Sequence, residues 1–473
     1  MDLANFVGVT VLPEYFQSES INGVLDHLER KAAATAVTTS PYVMEPGDSR
    51  TGYREPPVDA GAGKVRLLDR PLWGKRELWA RTAPSFGPNL RLYRGLRYQP
   101  PMPDGLTAEQ GPMVERFIQT ARSRGLKVYL QVQAAIPPGY RVQFGEPELD
   151  DRPRLPDGSV PERRLSANGS LASPHIREYT HALIQDLCRQ YPDIHGIRVD
   201  WPEYPPYLLD SIFLDFGRHA RREAAVLGFD FDRIRRAAAE LYRRLHGGLN
   251  DSVLTACAQA GSPGQALRRL ASDSAGLVEW VHFKASMVES LHEGFRKTMD
   301  EAGAGHLELW SNAFPPPWNT LSGMDYRRVG RYSTAISVKL YTMHWPMMLR
   351  FYGDQLRQAN PGISGSLLAR ALVRLFDISD DPAPDRLEDL YYPSPGERHP
   401  AGAEAQHRKI VQAQHDAGET PVYALAHGYG PAGDFRNRLE TAMAASRHGC
   451  WINRYGYLND EKLEIIGMVA RRS

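Results

Sequence analysis

Short runs of β-branched and aliphatic residues recur along the chain and alternate with longer stretches whose apolar residues follow helical spacing. The first such unit is a strand-like segment from Phe6 to Leu12, followed by an amphipathic stretch from Ser20 to Ala33. The same pattern predicts seven further strands, at residues 34–40, 127–135, 196–200, 306–314, 333–345, 420–426 and 450–457. Eight alternations of strand and helix favour an α/β fold, a closed (β/α)8 TIM barrel, over a doubly wound sheet.

Two long segments rich in proline and glycine interrupt this alternation. Residues 47–88 follow the second predicted strand, and residues 136–172 follow the third. In a parallel barrel both connections leave from the rim at which the strands end, and loops of this length are seldom kept without a binding task. We therefore expect a single (β/α)8 barrel domain over residues 1–473, with 47–88 and 136–172 as loop insertions at its C-terminal mouth.

The composition is that of a folded globular protein. The chain has 473 residues, of which 42% are hydrophobic and 24% are charged, and its net charge is +1. Interspersed acids and bases argue against a nucleic-acid partner, which would require a basic excess. No apolar run has the length of a membrane span, and no signal peptide is visible, so we expect a cytoplasmic protein unless an export signal was trimmed. The sequence leaves the formation of a homo-oligomer open.

The three cysteines, Cys188, Cys257 and Cys450, are far apart in the chain. They form no C-x-x-C pair and have no neighbouring pair of histidines, which is the spacing that zinc sites require. We therefore expect buried free thiols, no metal site and no cofactor.

Chemistry is expected where the fourth predicted strand ends. Ile197 and Val199 share one face of this strand, and Arg198 and Asp200 share the other, because successive side chains alternate. Barrel enzymes place their reacting groups at this rim. Asp200 is therefore predicted to be catalytic, kept ionised by Arg198 and suited to act as a nucleophile or to stabilise an oxocarbenium-like transition state. The alternative is a purely structural ion pair between Arg198 and Asp200.

A proton donor would have to be a second carboxyl group, and two glutamates are candidates. Glu308 lies on the strand after Asp200, and adjacent strands are about 4.8 Å apart, close to the carboxyl spacing of retaining glycosidases. Its early position in that strand argues against it, because it indicates a place below the mouth. Glu203 lies beyond the strand end among Trp201 and Tyr204, where desolvation would raise its pKa. Both glutamates stay open as the acid, and each has the alternative role of a hydrogen-bond partner to other site residues.

Aromatic and polar residues near the predicted strand ends are candidates for substrate binding. Aromatic rings suit the apolar faces of sugars, and lysine, histidine, glutamine and asparagine side chains donate to hydroxyl groups. These candidates are Arg198, Trp201, Tyr204, Tyr42, Gln133, Trp310, Asn312, Lys339, Tyr341, His344, His427 and Asn453.

A glycine-rich motif follows the seventh predicted strand. The segment from Gly428 to Gly433 matches G-x-G-x-x-G between a strand and a helix, which is the context of a phosphate cradle. Pro431 removes one amide from it, and the next strand lacks the acidic residue of a dinucleotide site. A sugar-phosphate site stays open here.

The segment Gly196-Ile197-Arg198-Val199-Asp200 resembles the fourth strand of glycoside hydrolase barrels related to α-amylases and α-galactosidases, in which a nucleophilic aspartate ends the strand. The segment Trp280-Val-His-Phe283-Lys284 is similar to the W-x-x-F-R helix before their fifth strand. The overall pattern looks closest to hypothetical glycosyl hydrolases of that group. This resemblance implies Asp200 as the nucleophile and an acid nearest to Glu308. The chain departs from the pattern in having no clear aspartate at the end of its seventh strand and no aspartate on its sixth.

These observations predict a glycoside hydrolase that cleaves an oligosaccharide or glycoside, with a carbohydrate as its partner. Two alternatives stay open. One is a sugar or sugar-phosphate isomerase or lyase with His344 or Lys339 as the base, and the other is a catalytically inactive carbohydrate-binding barrel.

Overall fold

The computed structural model describes residues 6–57, 66–141, 145–165, 167–271, 275–380 and 384–472. Within these ranges the strands are Phe6–Thr10 (β1), Ala36–Thr39 (β2), Tyr42–Pro46 (β3), Tyr53–Glu55 (β4), Leu78–Pro84 (β5), Lys127–Gln133 (β6), Gly196–Asp200 (β7), Glu308–Ala313 (β8), Ala335–Leu340 (β9), Val422–His427 (β10) and Gly449–Asn453 (β11).

The α-helices of the described residues lie mainly between the barrel strands. They are Pro13–Glu19 (α1), Ile21–Asp26 (α2), Gly105–Gln110 (α3), Pro112–Ser123 (α4), Pro174–Gln190 (α5), Leu209–Ile212 (α6), Arg218–Leu227 (α7), Phe231–Leu245 (α8), Asp251–Ala258 (α9), Pro263–Ala271 (α10), Ala275–Glu301 (α11), Trp318–Ser322 (α12), Tyr326–Val329 (α13), His344–Ala359 (α14), Gly365–Phe376 (α15), Ala403–Ala417 (α16), Ala432–Ala445 (α17) and Asp460–Ala470 (α18). A π-helical turn spans His27–Lys31, and 3-10 turns span Leu149–Asp151, Leu387–Asp389 and Tyr455–Tyr457.

Eight parallel strands close into a barrel in chain order, β1, β2 and β6 to β11, with β11 paired to β1. The predicted (β/α)8 fold is therefore confirmed. The predicted strand at 333–345 is too long, because β9 ends at Leu340 and α14 begins at His344. Both segments are buried, so an apolar run alone could not show where the strand gives way to a helix.

Aromatic side chains fill the lower half of the barrel lumen. Phe6, Tyr129, Trp310, Tyr423 and Trp451 pack against one another there, with ring centroids 4.6 to 5.7 Å apart. Phe6, Tyr129, Trp310 and Tyr423 lie in the first half of their strands. Trp451 is the middle residue of β11, which pairs with β1. Filled layers of this kind make the lumen a packed core, so a ligand has access only from the end at which the strands finish.

The connection from β2 to β6 contains regular structure that its composition did not indicate. Strands β3, β5 and β4 pair antiparallel in that order as a separate small sheet. Its strands are short, and only β5 reaches seven residues, so their alternation is too brief to stand out in a segment rich in proline and glycine.

Two further sequence expectations concern the chain as a whole. Cys188, Cys257 and Cys450 are buried and free, as predicted. Among the described residues, no helix combines the length and the apolar character that crossing a membrane requires.

Candidate active site

A cavity of about 320 Å³ opens at the C-terminal end of the barrel. Asp200 and six of the predicted binding residues line it, namely Gln133, Trp201, Tyr341, His344, His427 and Asn453. The rest of the described lining is Thr10, Leu12, Ser40, Pro57, Arg66, Gln131, Tyr140, Arg141, Leu165, Tyr207 and Arg454. Pro57 and Arg66 lie within 47–88, and Tyr140, Arg141 and Leu165 lie within 136–172, so both long segments contribute side chains to the mouth.

Asp200 is the last residue of β7 and lies in register with Gln133 of β6. Its Oδ1 accepts a hydrogen bond from the backbone N–H of Trp201 at 3.1 Å and lies 2.7 Å from Nζ of Lys339. No described residue donates a hydrogen bond to Oδ2, and the side chain is 15% exposed. One carboxylate oxygen is thus held by the protein, while the other is available to a ligand in the cavity.

The backbone turns sharply directly after Asp200. Trp201 has a φ of +51°, a left-handed conformation that bulky residues rarely adopt. The turn brings Trp201 and Tyr207 to the cavity, with their ring centroids 6.1 Å apart in an edge-to-face arrangement. Unfavourable backbone conformations of this kind concentrate at functional sites, where the surrounding structure holds them in place.

Glu203 is fully buried in the wall beside this turn. Its Oε1 accepts the backbone N–H of Phe314 at 3.1 Å, and its Oε2 lies 2.6 Å from Oγ of Ser322. Burial raises the pKa of Glu203 to about 7, although Lys339 and these hydrogen bonds oppose that effect. The expectation that desolvation raises this pKa is therefore met, but Glu203 is absent from the described cavity lining.

The hydrogen bonds around Glu203 are complete when its carboxyl is protonated. Oγ of Ser322 lies 2.9 Å from the backbone carbonyl of Asn319 as well as 2.6 Å from Glu203, and one hydroxyl proton cannot serve both oxygens. A protonated Glu203 donates to Ser322, which then donates to Asn319. Glu203 is therefore a buried group that holds a proton near neutral pH.

The expectation that Glu308 lies beside Asp200 is wrong. Glu308 begins β8 and is in register with Gly196. Gly196 lies four residues before Asp200, which is about 13 Å along the strand. The oxygens of Glu308 accept from Nζ of Lys127 at 2.9 Å, the hydroxyl of Tyr129 at 2.8 Å and Nε1 of Trp310 at 2.7 Å. Burial raises the pKa of Glu308, but these hydrogen bonds outweigh it and hold the pKa below its usual value.

The expected partnership of Arg198 with Asp200 is also wrong, and Lys339 takes the place of Arg198. The guanidinium of Arg198 lies inside the lumen, 3.7 Å from the centre of the Trp451 ring, and Nη2 donates to Oδ1 of Asn312 at 2.9 Å. It forms no ion pair within the part of the chain that the structure describes. Burial lowers the pKa of Arg198 to about 10.

Five other predicted binding residues are buried away from the cavity lining. The polar group of each binds another protein side chain. A residue near a strand end can face a packed layer or a neighbouring loop as well as the mouth. Trp310 donates to Glu308, Asn312 donates to Gln131, Tyr42 donates to Glu14, Tyr204 donates to Asp215, and Lys339 pairs with Asp200.

Three arginines that line the mouth were not predicted from the sequence: Arg66, Arg141 and Arg454. Arg454 directly follows the last residue of β11, so its position at the strand end could have identified it. Arg141 and Arg66 lie in the two long segments, where no periodic pattern shows which side chains turn toward the barrel.

Arg141 and Arg454 belong to a buried ionic cluster with Glu55 and Glu14. Glu55 accepts from Arg141 at 2.6 Å and from Arg454, while Glu14 lies 3.4 Å from Arg141 and 3.7 Å from Arg454. Burial raises the pKa of Glu55, but the two guanidiniums outweigh it and lower that pKa overall. Burial raises the pKa of Glu14, and its arginine neighbours only partly offset this.

His427 is a neutral hydrogen-bond donor at the cavity. The backbone N–H of Tyr429 donates to its Nδ1 at 3.0 Å, so the ring proton must sit on Nε2. Burial holds the pKa of His427 well below its usual value, and Arg66 and nearby histidines add to this effect.

Three positions of the glycine-rich segment, Gly428, Tyr429 and Pro431, offer no free amide to a phosphate. The amide of Gly428 donates to a backbone carbonyl at 2.6 Å, the amide of Tyr429 is used by a histidine ring, and Pro431 has no amide. The carbonyls of Gly428 and Tyr429 instead accept from Lys462 and Arg438. Among the described residues, no group of three or more His, Cys, Asp and Glu side chains has the arrangement of a metal site.

Comparisons with known proteins find similarity in fold only. No protein-family model and no curated protein matches the chain. The β-galactosidase of the psychrophilic Marinomonas ef1 is 13% identical with a TM-score of 0.51, and the match covers 98% of this chain and 59% of that one. The β-galactosidase of Bacillus circulans sp. alkalophilus is 8% identical with a TM-score of 0.48, covering 99% and 55% of the two chains. The catalytic domain of the Paenibacillus polymyxa β-amylase is 10% identical with a TM-score of 0.47, covering 98% and 96%. The fold is thus one that glycoside hydrolases adopt, and this chain spans about 59% of the length of the first of them.

Proposed function

We propose that the protein is a glycoside hydrolase whose reacting carboxylate is Asp200. The observation that carries this proposal is the state of that carboxylate: Oδ1 is held by Lys339 and by the amide of Trp201, and Oδ2 is available in the cavity. A fixed carboxylate at the end of a barrel strand suits attack on an anomeric carbon. The segment Gly196–Asp200, which resembles the nucleophile strand of the α-amylase and α-galactosidase group, supports the same role.

In this proposal Glu203 supplies the proton. Retaining glycosidases need one ionised and one protonated carboxyl group, whose environments push their pKa values apart. Glu203 lies three residues after Asp200, and burial raises its pKa from 4.5 to about 7, so that it keeps a proton at pH values where an ordinary glutamate is ionised. Because its oxygens contact Ser322 and Phe314, the carboxyl must turn from the wall into the cavity when substrate binds.

The proposed reaction has two steps. Oδ2 of Asp200 bonds to the anomeric carbon while the bond to the leaving oxygen breaks, and that oxygen takes the proton from Glu203. Water then attacks the anomeric carbon and gives its proton to Glu203. The bond between that carbon and Oδ2 breaks, so the sugar is released and the Asp200 carboxylate is restored. His427, Gln133 and Asn453 are positioned to bind sugar hydroxyls, and Trp201 offers an aromatic face.

A second candidate is a lyase that cleaves by β-elimination, and one observation favours it: Asp200 is the single carboxylate in the described cavity lining, beside His344 and Tyr341. His344 would remove the proton next to a sugar carboxylate. The electron pair left behind would form a carbon–carbon double bond as the bond to the leaving oxygen breaks, and that oxygen would take a proton from Tyr341. Lys339, the other base considered, is engaged by Asp200.

A panel of chromogenic glycosides tests the proposed function. The variant Asp200→Asn should lose activity about a thousandfold or more on the substrate that the wild type cleaves, with unchanged folding by circular dichroism. Asp193→Asn is the matched control, because the Asp193 side chain is 57% exposed and lies away from the cavity.

Three outcomes would contradict the proposal. Full activity of Asp200→Asn removes this residue from the mechanism. Products with ultraviolet absorbance from a new double bond identify the lyase instead. Saturable sugar binding without cleavage across the panel identifies a binding protein.

A further inference from the structure

Lys339 contacts the parts of the wall that hold the two carboxyl groups of the proposed reaction. We propose that its ammonium group forms an ion pair with each carboxylate in turn, with Asp200 in the free protein and with Glu203 while Asp200 carries the sugar. Lys339 is then a positioning residue that keeps Glu203 ionised for its role as the base of the second step. This inference rests on the proposed function, because it concerns the same reaction.

The surroundings of Lys339 connect the two carboxyl groups. The amide of Trp201 donates to Oδ1 of Asp200, and the amide of Phe314 donates to Oε1 of Glu203. The rings of Trp201 and Phe314 also face Nζ of Lys339, with their centroids 5.7 and 4.9 Å from it. The ammonium group therefore lies against both residues whose backbone positions a reacting carboxyl.

The ammonium group of Lys339 can change its partner. The side chain is 2% exposed, and Nζ lies 2.7 Å from Oδ1 of Asp200. This contact is an ion pair, because Nζ has no acceptor in hydrogen-bond geometry among the described residues. An ammonium group has three N–H donors, and aromatic faces attract it without fixing the direction of any of them. Nζ can therefore turn to a second carboxylate without breaking a hydrogen bond.

The charges of this wall balance in both states of the proposed reaction. In the free protein Lys339 and Asp200 carry opposite charges and Glu203 is protonated, so the three groups sum to zero. When Oδ2 of Asp200 bonds to the anomeric carbon, Asp200 becomes a neutral ester. Glu203 becomes a carboxylate as its proton goes to the leaving oxygen, so the sum is again zero. Since an unpaired buried charge is costly, the favoured partner of Lys339 in this second state is Glu203.

The free protein holds Glu203 in the protonated state that this order requires. Burial raises the pKa of Glu203 to about 7, Lys339 opposes that effect, and the charge of Asp200 adds to it. The hydroxyl of Tyr326 is the other titratable group near Glu203 among the described residues. It donates to the carbonyl of Phe314 and stays neutral, because burial raises the pKa of Tyr326 well above its usual value. Loss of the charge of Asp200 therefore favours the carboxylate form of Glu203.

The variant Asp200→Asn tests the exchange without any substrate, because asparagine is neutral like the ester. The pKa of Glu203 is read from urea unfolding across pH, by comparing each protein with its own Glu203→Gln version. In Asp200→Asn we expect this pKa to fall by about two units, because Lys339 then pairs with the Glu203 carboxylate.

The double variant Asp200→Asn with Lys339→Met shows whether Lys339 causes that fall. It removes both charges of the wild-type ion pair, so neither is left unpaired. We expect the pKa of Glu203 to return to at least about 7. Lys297→Met in the Asp200→Asn background is the matched control, since the Lys297 side chain is 73% exposed, and it should leave the lowered pKa unchanged. A fall of equal size with and without Lys339 would overturn the proposal, and so would an unchanged pKa in Asp200→Asn.

Turnover gives a second readout that does not use Asp200→Asn. On an activated aryl glycoside, Lys339→Met should slow hydrolysis of the ester more than its formation, because Glu203 then lacks the cation that keeps it ionised. A burst of the aryl leaving group should therefore precede steady-state turnover in this variant. Equal slowing of both steps would mean that Lys339 only positions Asp200, which contradicts the exchange.

The two proposals fail in different ways. If the wild type cleaves no glycoside but the pKa of Glu203 falls in Asp200→Asn only when Lys339 is present, the exchange of ion pairs stands and the hydrolase assignment falls. If cleavage depends on Asp200 but the pKa of Glu203 does not depend on Lys339, the hydrolase assignment stands and the exchange falls.

Discussion

Replacing Glu203 by glutamine tests whether this buried carboxyl holds a proton at neutral pH. Glutamine has the shape of the protonated acid, so its amide nitrogen can donate to Oγ of Ser322 and its carbonyl can accept the N–H of Phe314. Both hydrogen bonds of the wild type, at 2.6 and 3.1 Å, are therefore kept. What the variant removes is the ability to ionise.

The expected size of the effect follows from the pKa of Glu203. Burial raises that pKa from 4.5 to about 7, which corresponds to about 3 kcal/mol of unfolding free energy. Below pH 4.5 Glu203 is protonated in both the folded and the unfolded states, so it does not lower the free energy of unfolding. Between 4.5 and about 7 only the unfolded state ionises, so the wild type loses stability as pH rises, and the loss is complete above about 7.

Urea unfolding of wild type and Glu203→Gln from about pH 4 to about pH 9 measures this difference. We expect equal stability at the acidic end and a variant about 3 kcal/mol more stable than wild type at the alkaline end. Glu308→Gln is a control of opposite sign. Because the folded pKa of Glu308 is lowered, this variant should be less stable than wild type at neutral pH, and the difference should vanish as pH falls.

Parallel stability curves for wild type and Glu203→Gln would refute the reasoning, because they would mean that Glu203 ionises at its ordinary pKa despite its burial. The same variant bears on the chemistry. If Glu203 is the proton donor, kcat should fall most for glycosides whose leaving group is a poor one and least for activated aryl glycosides.

Two predictions concern the segments that build the mouth. Glu55→Gln should destabilise the protein by about 3 kcal/mol in urea unfolding, because it leaves two buried guanidiniums without their shared carboxylate; an unchanged midpoint would mean that the cluster contributes little. Replacing residues 141–165 by a short Gly-Ser bridge should lower the Tm by several degrees. The replacement removes the fully buried Asp151, whose carboxylate accepts three side-chain hydrogen bonds. An unchanged Tm would show that these contacts are dispensable.

The barrel could be predicted from the sequence because its signal is repeated eight times. Each unit pairs a short buried strand with an amphipathic helix, and an error in one unit does not change the count. The position of Asp200 follows from the same pattern, since the end of a barrel strand lies at the open rim. Six of the predicted binding residues also reach the cavity because they lie at such ends.

The partners of Asp200 could not be predicted, because they depend on height and register within the closed barrel. The alternation of side chains along a strand shows that Arg198 and Asp200 share a face. It does not show that Arg198 lies deeper in the barrel than Asp200, against Trp451. Lys339 reaches Asp200 from β9, two strands away around the barrel, a contact that depends on the curvature of the sheet. The early position of Glu308 in its strand indicated a place below the mouth, and its register with Gly196 confirms that depth.

The arginines of the mouth show a second limit of sequence patterns. Arg66 and Arg141 lie in segments without regular hydrophobic spacing, so no pattern shows which of their side chains turn inward. Their positions follow from packing over the rim, where Glu55 of the small antiparallel sheet meets Arg141. Contacts between distant loops of this kind are a property of the folded chain.

The role of Asp200 is tested most directly by trapping the covalent intermediate. The protein is incubated with 2-deoxy-2-fluoroglycosyl fluorides of the sugar it cleaves, so that Oδ2 of Asp200 bonds to the anomeric carbon as fluoride leaves. We expect the intact mass to rise by one fluoroglycosyl group, and peptide mapping to place that group on Asp200 within residues 195–204, with no adduct on Asp200→Asn. An adduct on another residue, or continued turnover with inverted product and no adduct, would contradict Asp200 as the nucleophile.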